Sequence, residues 1–309
     1  MTRYVILLGA AGLLLTAGCR KDDVVNCAPS IPAATPLADF TRRNSVASQS
    51  FSLALGSNQT ITTAGGAALS FPANGFLLPT GSPATGTAQV RVREIYTVPD
   101  MVLANMPTDI GRRGSTLVSG GEFNIQVWQD ATRLQLAPSL RVTLQSPTPA
   151  AQDTTRQYVW QQPASVMTSD SAGWQRAGAQ QAQKLPGLYR ALLPLDSIAW
   201  WNIDQFWHAY ATASIAQVTV KTTATAAGET RVYLRPIGFN SLARLWPSSA
   251  TEWRQTMPAG TEMVAVVLQS INGQLYYGTQ RVTISNGLVI SPPVNAVSEA
   301  EAVRLIRQL

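Results

Sequence analysis

Hydrophobic and polar residues alternate with a period of two along much of the chain. Phe51-Ser-Leu-Ala-Leu55 is the first such run. In Ala88-Gln-Val-Arg-Val-Arg93, Ala88, Val90 and Val92 fall on one face and Gln89, Arg91 and Arg93 on the other. Phe123-Asn-Ile-Gln-Val127 and Leu140-Arg-Val-Thr-Leu144 repeat the pattern. It returns at Gln217-Val-Thr-Val-Lys221 and Arg231-Val-Tyr-Leu-Arg235. Successive side chains of a strand point to opposite sides, so each run predicts a strand with one buried face. Gly65-Gly66, Pro72, Pro79, Gly81, Pro83, Gly86, Gly120-Gly121 and Pro138 separate the runs with turn chemistry. Short strands at this spacing predict a sandwich or a barrel.

Met263 to Leu268 is almost continuously apolar, which predicts a central strand. Asn272-Gly273 follows, a pair suited to a two-residue hairpin because both turn positions need positive φ. Leu275–Tyr277, Arg281–Ile284, a second Asn286-Gly287 and Leu288–Ile290 extend this to a meander, which Pro292-Pro293 ends. At the C-terminus Ser298 and Glu301 form a capping-box pattern, and Ala302, Leu305, Ile306 and Leu309 form an apolar stripe. Two helical turns are marginal alone, so this helix must pack on a sheet. The middle is less regular. Ser146-Pro-Thr-Pro149 reads as a boundary, Ala177 to Lys184 as a loop or short helix, and Trp160, Trp174 and Tyr189 as a packed hairpin.

The first residues address the compartment. Arg3 precedes the apolar run Val5–Leu15, which ends in Thr16-Ala17-Gly18, the order of a signal peptide over residues 1–18. The run is too short to span a bilayer, which takes about 20 residues. Thr16-Ala17-Gly18-Cys19 resembles the bacterial lipobox, with Thr16 in place of the usual Leu, and the resemblance makes Cys19 the acylated N-terminus of the mature chain. Lys21, Asp22 and Asp23 then resemble the surface-export signal of Bacteroidota lipoproteins. Together these resemblances imply an outer-membrane protein held by lipid and facing the cell exterior. Each buried CH₂ contributes about 0.8 kcal/mol and firm anchoring takes more than one chain, which the several chains of a lipoprotein cysteine supply. Cys27 is left as a bystander thiol. Residues 19–47, with Pro29, Pro32 and Pro36, read as a flexible tether.

Composition narrows the functional classes. The 309 residues include one histidine and two cysteines, which excludes a three-histidine zinc centre, a four-cysteine cluster and a disulfide scaffold. Formal charge is +6, and loss of Arg3 with the signal peptide leaves +5. Only Lys21, Lys184 and Lys221 are lysines; the other basic residues are arginines, scattered apart from Arg42-Arg43 and Arg112-Arg113. A nucleic-acid binder needs a basic stripe and a motif, and neither is present; attraction to anionic envelope glycans is the weaker reading of the excess. No Gly-x-Ser-x-Gly elbow accompanies His208, no carboxylate pair is marked, and Asp22-Asp23 is the only adjacent acidic pair. The expectation is no enzyme, no metal and no cofactor.

Gly65-Gly66-Ala-Ala-Leu69-Ser-Phe71-Pro-Ala-Asn74-Gly75-Phe76, with Val90–Glu94 and Val118–Phe123, resembles a β-sandwich module of the ZU5 type found in Bacteroidota surface lipoproteins of unassigned function. The resemblance covers about residues 50–146. Asp196–Asp204, Ala259–Glu262 and Tyr276-Tyr277 resemble the second half of the same proteins. The His-Phe-Ser-like self-cleavage triplet of some ZU5-type modules has no counterpart, since His208 precedes Ala209-Tyr210. The expected fold is therefore all-β: two β-sandwich domains, Ig-like or ZU5-like, in tandem with a short C-terminal helix. Its parts are a ZU5-like sandwich over 48–146, an irregular connection with a hairpin over 147–200, a second sandwich over 201–295 and the helix over 296–309.

The expected role is structural, adhesive or ligand-presenting. The alternative is glycan binding through an aromatic cluster, Trp200, Trp201 and Trp207 with Phe206 and Tyr210, which would otherwise be core. The ligand is then a glycan or a protein, and a hydrolase with an unrecognised site is the weakest reading. Asp153-Thr154, Asp170-Ser171 and Asp196-Ser197 resemble the O-glycosylation pattern of Bacteroidota, at Thr154, Ser171 and Ser197. The anchor yields a direct prediction. In detergent phase partitioning the intact chain enters the detergent phase and Cys19→Ala stays aqueous; wild-type protein in the aqueous phase would refute the anchor.

Overall fold

The computed structural model describes residues 36–110, 115–148, 157–163, 173–195, 198–226 and 228–309. Cys19, Lys21, Asp22, Asp23, Cys27, Thr154, Ser171 and Ser197 lie outside these residues. The described residues belong to one compact unit. Its strands are β1 (Gln49–Ala54), β2 (Gln59–Thr62), β3 (Ala68–Phe71), β4 (Phe76–Leu77), β5 (Thr87–Ile95), β6 (Leu117–Gln129), β7 (Thr132–Arg133), β8 (Gln135–Leu136), β9 (Val142–Pro147), β10 (Gln157–Pro163) and β11 (Gln175–Leu185). There follow β12 (Leu188–Leu193), β13 (Ile198–Phe206), β14 (Ile215–Lys221), β15 (Thr230–Pro236), β16 (Ala243–Arg244), β17 (Trp246–Pro247), β18 (Glu252–Pro258), β19 (Glu262–Ile271), β20 (Gln274–Thr283), β21 (Leu288–Ile290) and β22 (Asn295–Val297). The helices are α1 (Leu37–Asn44), α2 (Val98–Ala104), α3 (Ala209–Thr212) and α4 (Glu299–Ile306). The protein is an all-β sandwich fold with a C-terminal helix.

The first sandwich is one sheet folded on itself, in the order β1-β5-β6-β13-β10-β11-β12-β9-β3-β2. The fold line is β11, whose early residues pair with β10 and whose last three, Gln183–Leu185, pair with β12. Alternation decides what lies between the layers. Val90, Val92, Phe123, Ile125, Trp201 and Ile203 face Leu69, Phe71, Leu144, Tyr189 and Ala191 in one dry core. One buried carboxylate pins the open side. Glu94 accepts from Thr63 Oγ1 (2.7 Å), Gly65 N (2.6 Å), Gln49 Nε2 (2.9 Å) and Tyr96 OH (3.1 Å), joining β1, the β2–β3 turn and β5. The expected alternation of β5 is what the structure has: Ala88, Val90 and Val92 buried, Gln89, Arg91 and Arg93 exposed.

The second sandwich packs the sheet β17-β18-β14-β21 on the sheet β16-β15-β19-β20-β22. Val218, Val220 and Met257 meet Val232, Leu234, Ala265 and Val267 between them. The Met263–Leu268 run is central strand β19, flanked by β15 and β20. Asn272 (φ 49°) and Gly273 (φ 81°) make the two-residue hairpin between β19 and β20. The expected meander does not continue through Leu288–Ile290. That segment, β21, crosses to the opposite sheet and runs parallel to β14, because its Ile290 completes the core with Val218 and Val220.

Helices α1, α2 and α4 fill the space between the sandwiches. Leu37 and Phe40 (α1), Met101 and Val102 (α2), and Ala302 and Ile306 (α4) are buried in one cluster. Ile95, Leu117, Trp160 and Trp200 of the first sandwich join them, as do Tyr233, Leu268, Leu275 and Tyr277 of the second. Arg43 reaches Glu299 through two bonds (3.0 and 2.7 Å), and Arg307 pairs with Asp100, so the three helices are also linked by charge. In α4, Ser298 Oγ caps Glu301 N (3.1 Å) as expected, whereas the Glu301 carboxylate turns outward to Arg304.

Three expectations about segments change. Residues 37–44 of the expected tether are a packed helix, because Leu37 and Phe40 recur on one face and find an apolar surface there. Ala177 to Lys184 is neither loop nor helix but strand β11, since tertiary pairing with β10 and β12 overrides its weak propensity. The irregular 147–200 region supplies β10, β11, β12 and the start of β13, and Trp201–Phe206 completes β13 inside the first sheet rather than opening the second sandwich. Phe40→Ala should cost about 3–5 kcal/mol of unfolding free energy. Urea denaturation reads this directly, and an unchanged midpoint would mean that α1 is not docked.

Candidate functional site

The three tryptophans expected as a binding platform are core residues, with exposures of 4% (Trp200), 0% (Trp201) and 5% (Trp207). Strand alternation sends Trp201 into the first sandwich and Trp200 under the helices, and Trp207 enters the second sandwich. Only their neighbour Phe206 is exposed, at 47%, packed edge-on against Tyr158 and Trp160. These three positions therefore offer no aromatic platform to a glycan. His208 is exposed and stands just before α3, at its N-cap.

The exposed face that does carry recognition chemistry lies on β1, β5 and β6. Register aligns Ser52, Gln89 and Trp128 in one row and Ser50, Arg91 and Gln126 in the next, and in a third exposed Arg93 stands opposite buried Asn124. Directly opposed side chains stand about 4.5–5.5 Å apart, so this is a contiguous grid. Along β6, Trp128 Nε1 donates to Gln126 Oε1 (3.0 Å) and Gln126 Nε2 donates to Asn124 Oδ1 (3.1 Å). Arg91 Nε donates to Gln89 Oε1 (2.8 Å), and its guanidinium lies 5.2 Å from the Trp128 ring centroid. Arg133 on β7 stands opposite Trp128. The grid holds three arginines, amides, hydroxyls and a half-buried indole, and no carboxylate occupies any of its positions.

A second constellation is internal. Where β13 meets β6, Asn202 pairs with Glu122 and Asp204 with Ser119, and the register shifts between them. Gly120 and Gly121 absorb the shift: Gly121 has φ 138°, and a Cβ on Gly120 would lie 2.8 Å from the Ile203 carbonyl oxygen. Glu122, Asn202 and Asp204 are all fully buried. Asn202 Nδ2 donates to Asp204 Oδ2 (2.5 Å), and Ser119 Oγ donates to Asn202 Oδ1 (3.0 Å). Trp160 Nε1 donates to the Asp204 carbonyl (3.2 Å). Asn240 clamps Ser119 from the second sandwich by two bonds of 2.8 Å. Burial drives the Glu122 carboxyl well above the usual range, and the nearby Asp204 adds to it; burial does the same to Asp204.

Asp109 is the third buried acid. It accepts from Arg244 N (2.6 Å) and Thr116 Oγ1 (3.0 Å), and burial pushes its pKa up to about 7 against those bonds. Thr116 Oγ1 in turn lies 3.1 Å from Tyr210 OH.

Gln89, Arg91 and Arg93 were legible as one polar face of a strand, and Asn124 and Gln126 as another. Their juxtaposition, with Trp128, comes from register. Glu122 and Asp204 carried no sequence signal, being far apart in the chain. No family model matches the sequence, and no curated protein is similar to it.

The acids predict a pH dependence. A carboxyl whose native pKa is raised binds its proton more tightly folded than unfolded. Its contribution is therefore complete below the unfolded value near 4 and is lost as pH rises through the native value. For Asp109 that window runs from about 4 to about 7. In EDTA, urea midpoints should fall between pH 5 and pH 8; a midpoint rising across this interval would contradict the assignment.

Proposed function

We propose that this protein is a non-enzymatic lipoprotein of the outer surface that binds glycans through the β1–β5–β6 face. The observation that carries the ligand is the grid itself: Arg91, Arg93, Gln126 and Trp128 presented on a rigid sheet. Planar amides and guanidinium groups hydrogen-bond ring hydroxyls, and an indole offers a flat apolar surface to the ring carbons. Rigid strands hold such groups in position at little entropic cost. The anchor rests on the sequence, from the apolar run and Cys19 to Lys21, Asp22 and Asp23. Its resemblance to Bacteroidota surface lipoproteins with ZU5-type modules supports the same address. Among the described residues no helix is long and apolar enough to cross a membrane.

The binding face replaces the Trp200–Trp207 cluster as the place where a ligand would sit. Binding to a polysaccharide microarray tests it. Wild type should retain a set of glycans, and the double variant Arg91→Ala/Trp128→Ala should lose about tenfold in affinity for them. That loss, about 1.4 kcal/mol, is the size expected for removing one charge-assisted hydrogen bond and one stacking surface. Retention by the variant at wild-type strength would sink the proposal, as would failure of wild type to bind any glycan.

A further inference from the structure

Glu122 and Asp204 pose a problem of charge and of hydrogen bonding together. Both are fully buried. Both Glu122 oxygens have no hydrogen-bond partner among the described residues, whereas the Asp204 carboxylate accepts from Asn202 Nδ2 and is further held by Ser119 Oγ and Gly120 N. The register puts Glu122 beside Asn202 on one face of the sheet, and Asp204 two residues further along that same face. Two ionised carboxylates in a dry interior without a cation are strongly disfavoured. Protonating both would remove the charge but not the second difficulty, because the new Glu122 O–H would still lack an acceptor and its carbonyl oxygen a donor. A group that is both positive and oxygen-seeking removes both at once.

We propose that Glu122 and Asp204 together hold a hard divalent cation, of which Ca²⁺ is the test case, with Asn202 Oδ1 as a neutral oxygen donor. Hard cations take carboxylate and amide oxygens, and two carboxylates balance a charge of +2. Asn202 is oriented for this by its own bonds: its Nδ2 is held by Asp204 Oδ2, and Ser119 Oγ occupies one lone pair of Oδ1. Among the described residues no three His, Cys, Asp or Glu side chains gather, so this donor set is two acids supplemented by an amide. The site lies where β6 and β13 meet, beneath the Asn240 clamp from the second sandwich. The ion would therefore stabilise the joint between the sandwiches. Because the groups are enclosed, loading belongs to folding rather than to exchange with the finished protein.

The full chain is unfolded in urea and refolded with EDTA, with CaCl₂, or with TbCl₃. With Ca²⁺ the melting midpoint should rise with ion concentration. Tb³⁺ should luminesce on tryptophan excitation at one ion per chain, because Trp160 touches Asp204. Glu122→Gln, which keeps the shape and removes a charge, should abolish both responses, and Asp204→Asn should do the same. Wild-type protein without a midpoint shift and without sensitised emission overturns the proposal, and so do responses that survive in Glu122→Gln. If neither variant folds, the wild-type stoichiometry and the competition of Ca²⁺ with Tb³⁺ decide: one displaceable ion per chain supports the site, and none overturns it.

Discussion

Eight residues, Trp200 to Trp207, tie the molecule together. Trp201 and Ile203 enter the core of the first sandwich, Trp200 lies in the helical layer, and Trp207 lies in the core of the second. A strand between two layers must bury both faces, and β13 does so from Trp200 to Asp204, with one tryptophan on each side. Burying such a side chain removes a large apolar area from water, so each tryptophan anchors its own core. Because the anchors are consecutive in the chain, no core can separate from the others without unpairing β13 from β6 and β10. The single compact unit follows from that constraint.

The same constraint creates the polar anomalies. β13 and β6 cross the joint between the sandwiches, and the face not used by the first core is covered by helices and by the second sandwich. Polar side chains on that face are enclosed: Glu122, Asn202, Asp204 and, nearby, Asp109. Replacing such groups with apolar ones is often neutral or stabilising, so their presence asks for a reason beyond packing. The proposed cation at the joint would supply one for Glu122 and Asp204. For Asp109 the bonds from Arg244 N and Thr116 Oγ1 supply another, since they connect the edge of one sandwich to the other.

Farther along β6 and β5, past the edge of the helical layer, the same outer face is open to solvent. Arg91, Arg93, Gln126 and Trp128 are partly or fully exposed there. One sheet thus carries its structural joint at one end of β6 and its exposed grid at the other. The grid is rigid because the opposite faces of its strands, with Val90, Val92, Ile125 and Val127, are locked into a dry core.

Local pattern was enough to read the strands with one buried face, the Asn272-Gly273 hairpin, the central strand β19 and the capped C-terminal helix. In each of these the deciding interaction lies within a few residues: side-chain alternation, turn conformation, or a cap. The N-terminal signal features and Cys19 are linear motifs outside the described residues, and the fold does not bear on them. Tertiary structure decided the rest. Strand β11 has no alternation of its own and exists because β10 and β12 pair with it. Strand β21 follows the pattern of a meander in sequence, yet its partner is β14. The tryptophans at 200, 201 and 207 read alike as a cluster, and only the packing on each side of β13 assigned them to three cores. Glu122 and Asp204 are 82 residues apart, and no local rule brings them together. Alternation is a property of one strand, whereas partner and register belong to two, and everything that meets across strands waits for the fold.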